Sequence, residues 1–338
     1  MTPIDIFLNR ELWWLEGNRP FLEAAQDPAA PLLERLKSLA VISTNLDEFF
    51  TGRMPVLKQR IREIGQTATN DLPAALTIRA VAKRVNELTS AQQRCFLREI
   101  QPLLARDGIR LVQPTDISGI QRQRLDEYFH RTLFPVLTPL TVGPGHPFPI
   151  LRNMSPYLLI SLRPSTPSTL PHSEICLIPI PRQVLPRFIA LPDPQGRPVL
   201  MLLEDIIRLY LPTICHGYCI VSSHTIRVTR AASRSTLVRL DDRVTSTREI
   251  SRTGPRYQAV RLQLDADVPD DTVLFLRREL GLCDDDVYPG AGLVGWPDLF
   301  RLYRALRASL SPKPLPFRQP TPAHSRSIEA FRPLALRP

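Results

Sequence analysis

Long apolar runs are missing from this 338-residue chain. No stretch reaches the ~18–20 uninterrupted apolar residues that a spanning helix needs, which excludes an integral membrane protein. The N-terminus, MTPIDIFLNRELWW, has no basic segment followed by an apolar one, so no signal peptide is expected. Cysteine is sparse: Cys95, Cys176, Cys215, Cys219 and Cys283 are odd in number and widely scattered. That pattern is not a disulfide framework and fits a reducing cytoplasm. Lysine is scarcer still, since Lys37, Lys58, Lys83 and Lys313 are the only lysines among 43 basic residues. The common catalytic signatures are also lacking: no phosphate-loop lysine, dinucleotide glycine fingerprint, zinc-binding helix or nucleophile elbow is present.

What remains is 43% hydrophobic residues, enough for buried cores, in a length that suggests two or three domains. The net charge is +10 and almost all of it is arginine, whose planar, permanently charged fork suits phosphate oxygens. A polyanionic partner follows from that balance: nucleotide, polyphosphate, nucleic acid or an acidic surface. A genome that favours arginine codons gives the same composition.

The first ~108 residues read as helical, with 31–40 placing Leu32, Leu33, Leu36, Leu39 and Ala40 on one face. A second helix is expected to open near Thr44-Asn45, with Asn45 as its cap and Glu48 completing a capping box. Pro55 should kink or end it. A long periodic stretch over 74–106 stops at Gly108, and the whole reads as an antiparallel helical unit with its own core. Beyond it lie a helix at 117–133, a proline- and glycine-rich block at 134–149 expected to be irregular, and strands at 157–162, 175–180, 198–203, 225–229 and 258–264. In the last of these, Val260, Leu262 and Leu264 alternate inward with polar residues between. Helices at 204–211 and 270–280 complete an α+β unit. The fold class is therefore α+β multidomain: an all-helical domain at 1–108, a mixed α+β domain at 109–310, and an extended Pro/Arg-rich tail at 311–338.

Candidates for chemistry are few. Cys215-His216 with Cys219 lacks the second ligand pair of a zinc site and reads as ordinary core cysteines. Asp284-Asp285-Asp286 reads as a solvated turn, with magnesium binding as the alternative. His146, in GPGHPFP, reads as a loop histidine bonded to carbonyls, with a catalytic role as the alternative.

Three segments carry a resemblance. Residues 8–24, LNRELWWLEGNRPFLEA, resemble an N-R-E-L-S-W-L-x-F-N-x-R-V-L-x-E-A pattern, and 43–60, STNLDEFFTGRMPVLKQR, resemble S-x-N-L-D-E-F-F-x-x-R with L-K. Residues 134–149, FPVLTPLTVGPGHPFP, resemble a long block of the same family, the large bacterial polyphosphate kinases. LPRF at 185–188, LLEDII at 202–207, RVTR at 227–230 and LGLCDDDVY at 280–288 follow in the same order. The resemblance implies a helical N-terminal domain, a head domain through which such enzymes dimerise, and ATP and polyphosphate as substrates of a transfer through phosphohistidine. It implies that the phosphohistidine domains are absent here, since none of the six histidines corresponds to it, so the chain is expected not to catalyse alone. Mg2+ is expected only with those further domains, and a separate polypeptide carrying them is a possible partner. Nucleic acid is not expected, for want of an aromatic stacking surface. The family's nucleotide-contacting asparagine falls on Asn45, with Arg53 and Lys58 downstream as sources of charge or as a solvated face. The chain departs from the pattern at Trp13, Gly17, Thr51, Gly52, Pro55, Gly143 and Ala231-Ala232-Ser233.

Overall fold

A computed structural model describes residues 9–65, 72–143, 148–165, 174–231 and 258–310. His146, the tail 311–338 and Ala232-Ser233 lie outside the described residues. Helices come first: α1 (Arg10–Glu16), α2 (Arg19–Gln26), α3 (Leu32–Glu48), α4 (Met54–Gly65), α5 (Leu72–Cys95) and α6 (Gln101–Arg106). The Asn9 side chain caps α1 by accepting from the N–H groups of Glu11 and Leu12. Gly108 ends the helical run in the left-handed conformation, φ 84°, where a side chain would be strained.

The expected helix start at Asn45 is corrected. No breaker interrupts 41–44, the apolar face continues through Ile42 and Leu46, and α3 runs unbroken from Leu32 to Glu48. Asn45 is an interior residue and caps nothing. Pro55 also neither ends nor visibly interrupts the helical run, and the reason recurs. Among the described residues, the π-helical turns Phe49–Arg53, Phe96–Ile100 and Phe129–Leu133 each begin on phenylalanine and end two residues before a proline: Pro55, Pro102 and Pro135. The residue preceding each proline donates its N–H five residues back, Met54 to Phe49, Gln101 to Phe96 and Phe134 to Phe129. Proline has no N–H, and its ring crowds the carbonyl four residues earlier. One widened turn ahead of it relieves that crowding without breaking the helix.

The mixed region follows. It adds α7 (Gly119–Tyr128), α8 (Leu203–Leu209), α9 (Leu211–Ile214), α10 (Asp270–Leu280) and α11 (Leu299–Leu310) to two sheets. The smaller sheet joins β1 (Arg110–Leu111), β6 (Val199–Leu202) and β5 (Phe188–Leu191) in the order β1-β6-β5. The larger has β2 (Leu140–Val142), β3 (Pro156–Pro164), β4 (Glu174–Pro179), β7 (Tyr218–Arg230), β8 (Ala259–Asp265) and β9 (Val287–Gly290) in the order β2-β4-β3-β7-β8-β9. The block at 134–149 is thus not wholly irregular: Leu140–Val142 forms an edge strand on β4 between its prolines. β8 pairs antiparallel with β7 and parallel with β9, with α10 in the crossover.

β8 is not half-exposed as its alternation suggests. The β7–β8 register slips between Thr229 and Arg230 and leaves Val260 as the extra residue. Val260 joins the core of the helical layer while Leu262 and Leu264 join the core beneath the sheet, and Arg261 is buried between them. Nor does the helical layer keep a core of its own. The core around Leu36, Leu39, Phe49, Phe50, Val81 and Val85 continues into Tyr288, Trp296, Leu299, Leu302 and Leu306. α11 supplies the last three on one face, at the three- and four-residue spacing of an amphipathic helix, and packs on α3.

Candidate functional site

Asn45 lies on α3 with its side chain half-buried, and its amide is held in place by a short relay. Asn45 Nδ2 donates to Asn18 Oδ1 at 3.0 Å, and the buried Asn18 Nδ2 donates to the Leu15 carbonyl at 3.1 Å. The relay fixes which way the amide faces. Asn45 Oδ1 accepts no hydrogen bond from a described residue.

The two cations downstream are already engaged. Arg53 lies 3.7 Å from Glu11 and stacks over the Trp14 ring at 5.4 Å. Lys58 Nζ reaches Asp286 Oδ2 at 2.5 Å, with the lysine largely buried and the carboxylate 1% exposed. Lys58 is therefore neither a solvated face nor a free charge. The acidic triplet is corrected with it: Asp284 is exposed as a turn residue should be, whereas Asp286 is interior and also accepts the Cys283 N–H at 3.1 Å.

Residues of the recognised motifs meet one another in the same way. Asp47, two residues beyond Asn45, is gripped at both oxygens by Arg227 of β7, Nη1 at 2.7 Å and Nη2 at 2.5 Å. Arg227 also donates to Gln263 and to the Met154 carbonyl. Arg261 lies 3.6 Å from Asp47, its guanidinium between the Phe50 and Tyr288 rings at 4.6 and 5.2 Å. Burial pulls the Arg261 guanidinium down to about 10, against the pull of Asp47. Arg187, from LPRF, forks onto Glu204 of LLEDII with Nη2–Oε1 at 2.5 Å and Nε–Oε1 at 3.1 Å. It also donates to Asp298 at 2.9 Å and to the carbonyls of Val294 and Gly295. Burial opposes ionisation of Asp298, but Arg187 and Arg182 hold its carboxyl below the usual range. Among the described residues five arginines, Arg35, Arg187, Arg227, Arg230 and Arg261, are buried, so part of the arginine excess is structural. Sequence patterning alone had no means to separate these from surface arginines.

The cysteine–histidine cluster does not gather into a site. Cys215 is buried in the core beside β4, while His216 and Cys219 are exposed. Among the described residues, one group brings three donor atoms within 4.8 Å of one another: His224, Asp265 and Asp267. Sequence spacing carries no sign of it, because His224 is on β7 while Asp265 ends β8 and Asp267 follows it.

Comparison with known proteins returns one answer throughout. The description "Polyphosphate kinase N-terminal domain" matches residues 7–112, and "Polyphosphate kinase middle domain" matches residues 120–302. A polyphosphate kinase of Mycolicibacterium gilvum is 34% identical over 327 residues, covering 95% of this chain and 44% of that protein. One from Thermosynechococcus vestitus is 35% identical over 310 residues, covering 88% and 42%. The crystal structure of polyphosphate kinase from Porphyromonas gingivalis superposes with a TM-score of 0.73 at 25% identity, over 91% of this chain and 43% of that one. The chain spans less than half the length of the relatives it matches.

Proposed function

The chain belongs to the polyphosphate kinase family, and we propose that it supplies the nucleotide-contacting and dimer-forming part of that machinery rather than the phosphoryl-transfer centre. The family reaction moves the terminal phosphoryl group of ATP reversibly to a polyphosphate chain by way of phosphohistidine. Splitting one displacement into two requires a nucleophile and a set of cations around the phosphates. In this reading the present residues supply neither, and a partner polypeptide or further domains do.

Asn45 is the adenine contact. The observation that carries this is the Asn18 relay, which orients the Asn45 amide while using only one of its two N–H groups. An adenine edge offers an amino donor beside a ring-nitrogen acceptor, the complement of an amide's oxygen and second N–H. The reading no longer needs a helix N-terminus, since Asn45 is not at one.

The test is a titration of the full chain with a fluorescent ATP analogue, set beside a polyphosphate synthesis assay. Removing one or two neutral hydrogen bonds with Asn45→Ala should weaken ATP about 5- to 20-fold. Asn18→Ala should weaken it less, by freeing the amide. Equal affinity for parent and Asn45→Ala would refute the contact. ATP-dependent polymer made by the purified chain alone would refute the division of labour.

A further inference from the structure

A cavity of about 390 Å3 opens between the helical layer and the two sheets, and Asn45 does not line it. Phe96 and Leu97 of the second π turn, Phe188 of β5 and Leu293 beyond β9 give it apolar walls. The charged residues lining it are Asp205, Asp265 and Asp267, and no basic residue lines it. In a chain of net charge +10, a cavity whose charges are all acidic is a distinct local field.

The counter-ion stands outside the lining. Arg208 Nη1 reaches Asp205 Oδ1 at 2.7 Å and Nη2 reaches Asp265 Oδ2 at 3.1 Å. Asp265 Oδ2 also accepts the Thr225 N–H at 2.6 Å. These contacts use one oxygen of each carboxylate. The second oxygen of each accepts no hydrogen bond from a described residue. One guanidinium thus serves two buried or half-buried carboxylates, and the third, Asp267, rests on His224 Nδ1 at 3.2 Å.

We propose that this cavity binds a small organic cation, a protonated amine on an apolar or aromatic stem, with the ammonium on Asp205 and Asp265 and the stem against Phe96, Leu97, Phe188 and Leu293. The size is that of a small-molecule site, and its composition follows the usual rule of apolar walls with a few fixed polar groups. An ammonium brings three donors to the two free carboxylate oxygens. A metal ion at His224, Asp265 and Asp267 fits less well. A hard cation seeks a shell of oxygen ligands. Here Asp267 is 81% exposed and already engaged with His224, and apart from Asp205 and Asp265 the walls are largely hydrocarbon, so such a shell is not assembled. An anion is excluded by charge.

The experiment is isothermal titration calorimetry of the full chain with three ligands of one shape: 4-phenylbutylamine, 4-phenylbutan-1-ol and 4-phenylbutyrate. The amine should bind about tenfold or more tightly than the alcohol, and the carboxylate least, because a charge-assisted pair is the distinguishing interaction. Asp205→Asn should remove most of that preference and leave the alcohol unchanged. Leu97→Trp, at a side chain already 37% exposed and so tolerant in folding, should block amine and alcohol together. Equal binding of amine and alcohol, or no heat from any of the three at millimolar concentration, would overturn the proposal. Displacement of the amine by Mn2+ or Zn2+, with the metal lost in His224→Ala, would overturn it in favour of a metal site.

Discussion

Replacing Arg187 by methionine removes the charge while keeping most of the stem's volume, and the structure fixes what that should cost. Arg187 is 1% exposed and Glu204 is 2% exposed. Their fork is the sole ion pair Glu204 makes among the described residues, whereas Asp298 keeps Arg182 at 3.0 Å when Arg187 is gone. The loss therefore falls on Glu204, left charged and without its partner in the interior, and on the carbonyls of Val294 and Gly295, left without a donor. Breaking one side of a buried pair costs about 3–5 kcal/mol. At about 2–4 °C per kcal/mol for a chain of this size, Arg187→Met should melt roughly 6–20 °C lower. Urea unfolding followed by far-ultraviolet circular dichroism gives the free energy directly. The double variant Arg187→Met with Glu204→Leu should recover most of the loss, because no charge is then stranded. A cost of Arg187→Met below about 1 kcal/mol would refute the reasoning, as would a double variant no better than the single one.

Other consequences are measured by the same means. Asp47→Ala should cost about 3–5 kcal/mol, since it strands Arg227 and Arg261 on the buried face of β7 and β8; a loss within experimental error of zero would show that water replaces the carboxylate there. Burial pushes the Asp205 carboxyl up to about 6 despite Arg208, with Glu204 and Asp265 adding to the rise. A carboxyl raised by folding binds its proton more tightly in the native state, so the native state loses stability as pH climbs from about 4 to about 6. Asp205→Asn should be free of this, and its stability relative to the parent should rise over that window by up to about 3 kcal/mol; a gap that narrows instead would refute the assignment. Gly52→Ala should stabilise by about 0.5–1 kcal/mol, because a Cβ at Gly52 meets nothing within 4 Å and glycine is poor in a helical run, whereas a lower melting temperature would show that the π turn needs glycine.

The local elements were legible because local rules govern them. The period over 74–106 and the left-handed Gly108 mark α5 through α6, and the paired apolar runs mark β3, β4, β7 and β8. The 270–280 helix ends at Gly281, φ 65°, as its sequence indicates. Errors arose where a tertiary partner overrides a local signal. Asn45 and Glu48 have the spacing of a capping box, yet the apolar face of α3 runs on beneath them and decides the matter. Pro55 carries a breaker's chemistry, and one π turn absorbs it. Arg261 occupies a polar position in an alternating strand and is nevertheless interior, since Asp47 and two aromatic rings await it there. The Asp47–Arg227 pair is 180 residues apart in sequence, beyond any window in which periodicity can be read.

These pairs also explain which of the chain's departures from the family pattern the fold can absorb. Asp47, Arg187, Glu204, Arg227 and Asp286 are retained from the motifs, and each is an interior member of an ion pair joining separate elements. Four of the substituted positions, Trp13, Gly52, Gly143 and Pro55, are of another kind. Trp13 is 43% exposed, and Gly52 and Gly143 face open space. Pro55 sits just past the widened turn that accommodates it. A buried charge that loses its partner costs several kcal/mol, while a surface exchange away from special backbone sites falls within about 0.5 kcal/mol. Selection for a folded chain alone would therefore hold the first group and release the second. Asn45 belongs to neither: half-buried, uncharged and joined to the fold by a single relay, it contributes at most about 1.5 kcal/mol to stability through that bond. Under the proposed nucleotide contact, Asn45 answers to a ligand and little to folding. Asn45→Ala should accordingly separate the two, costing little in urea unfolding while weakening ATP. A large stability loss with unchanged ATP affinity would make Asn45 one more interlock and end the case for a nucleotide contact.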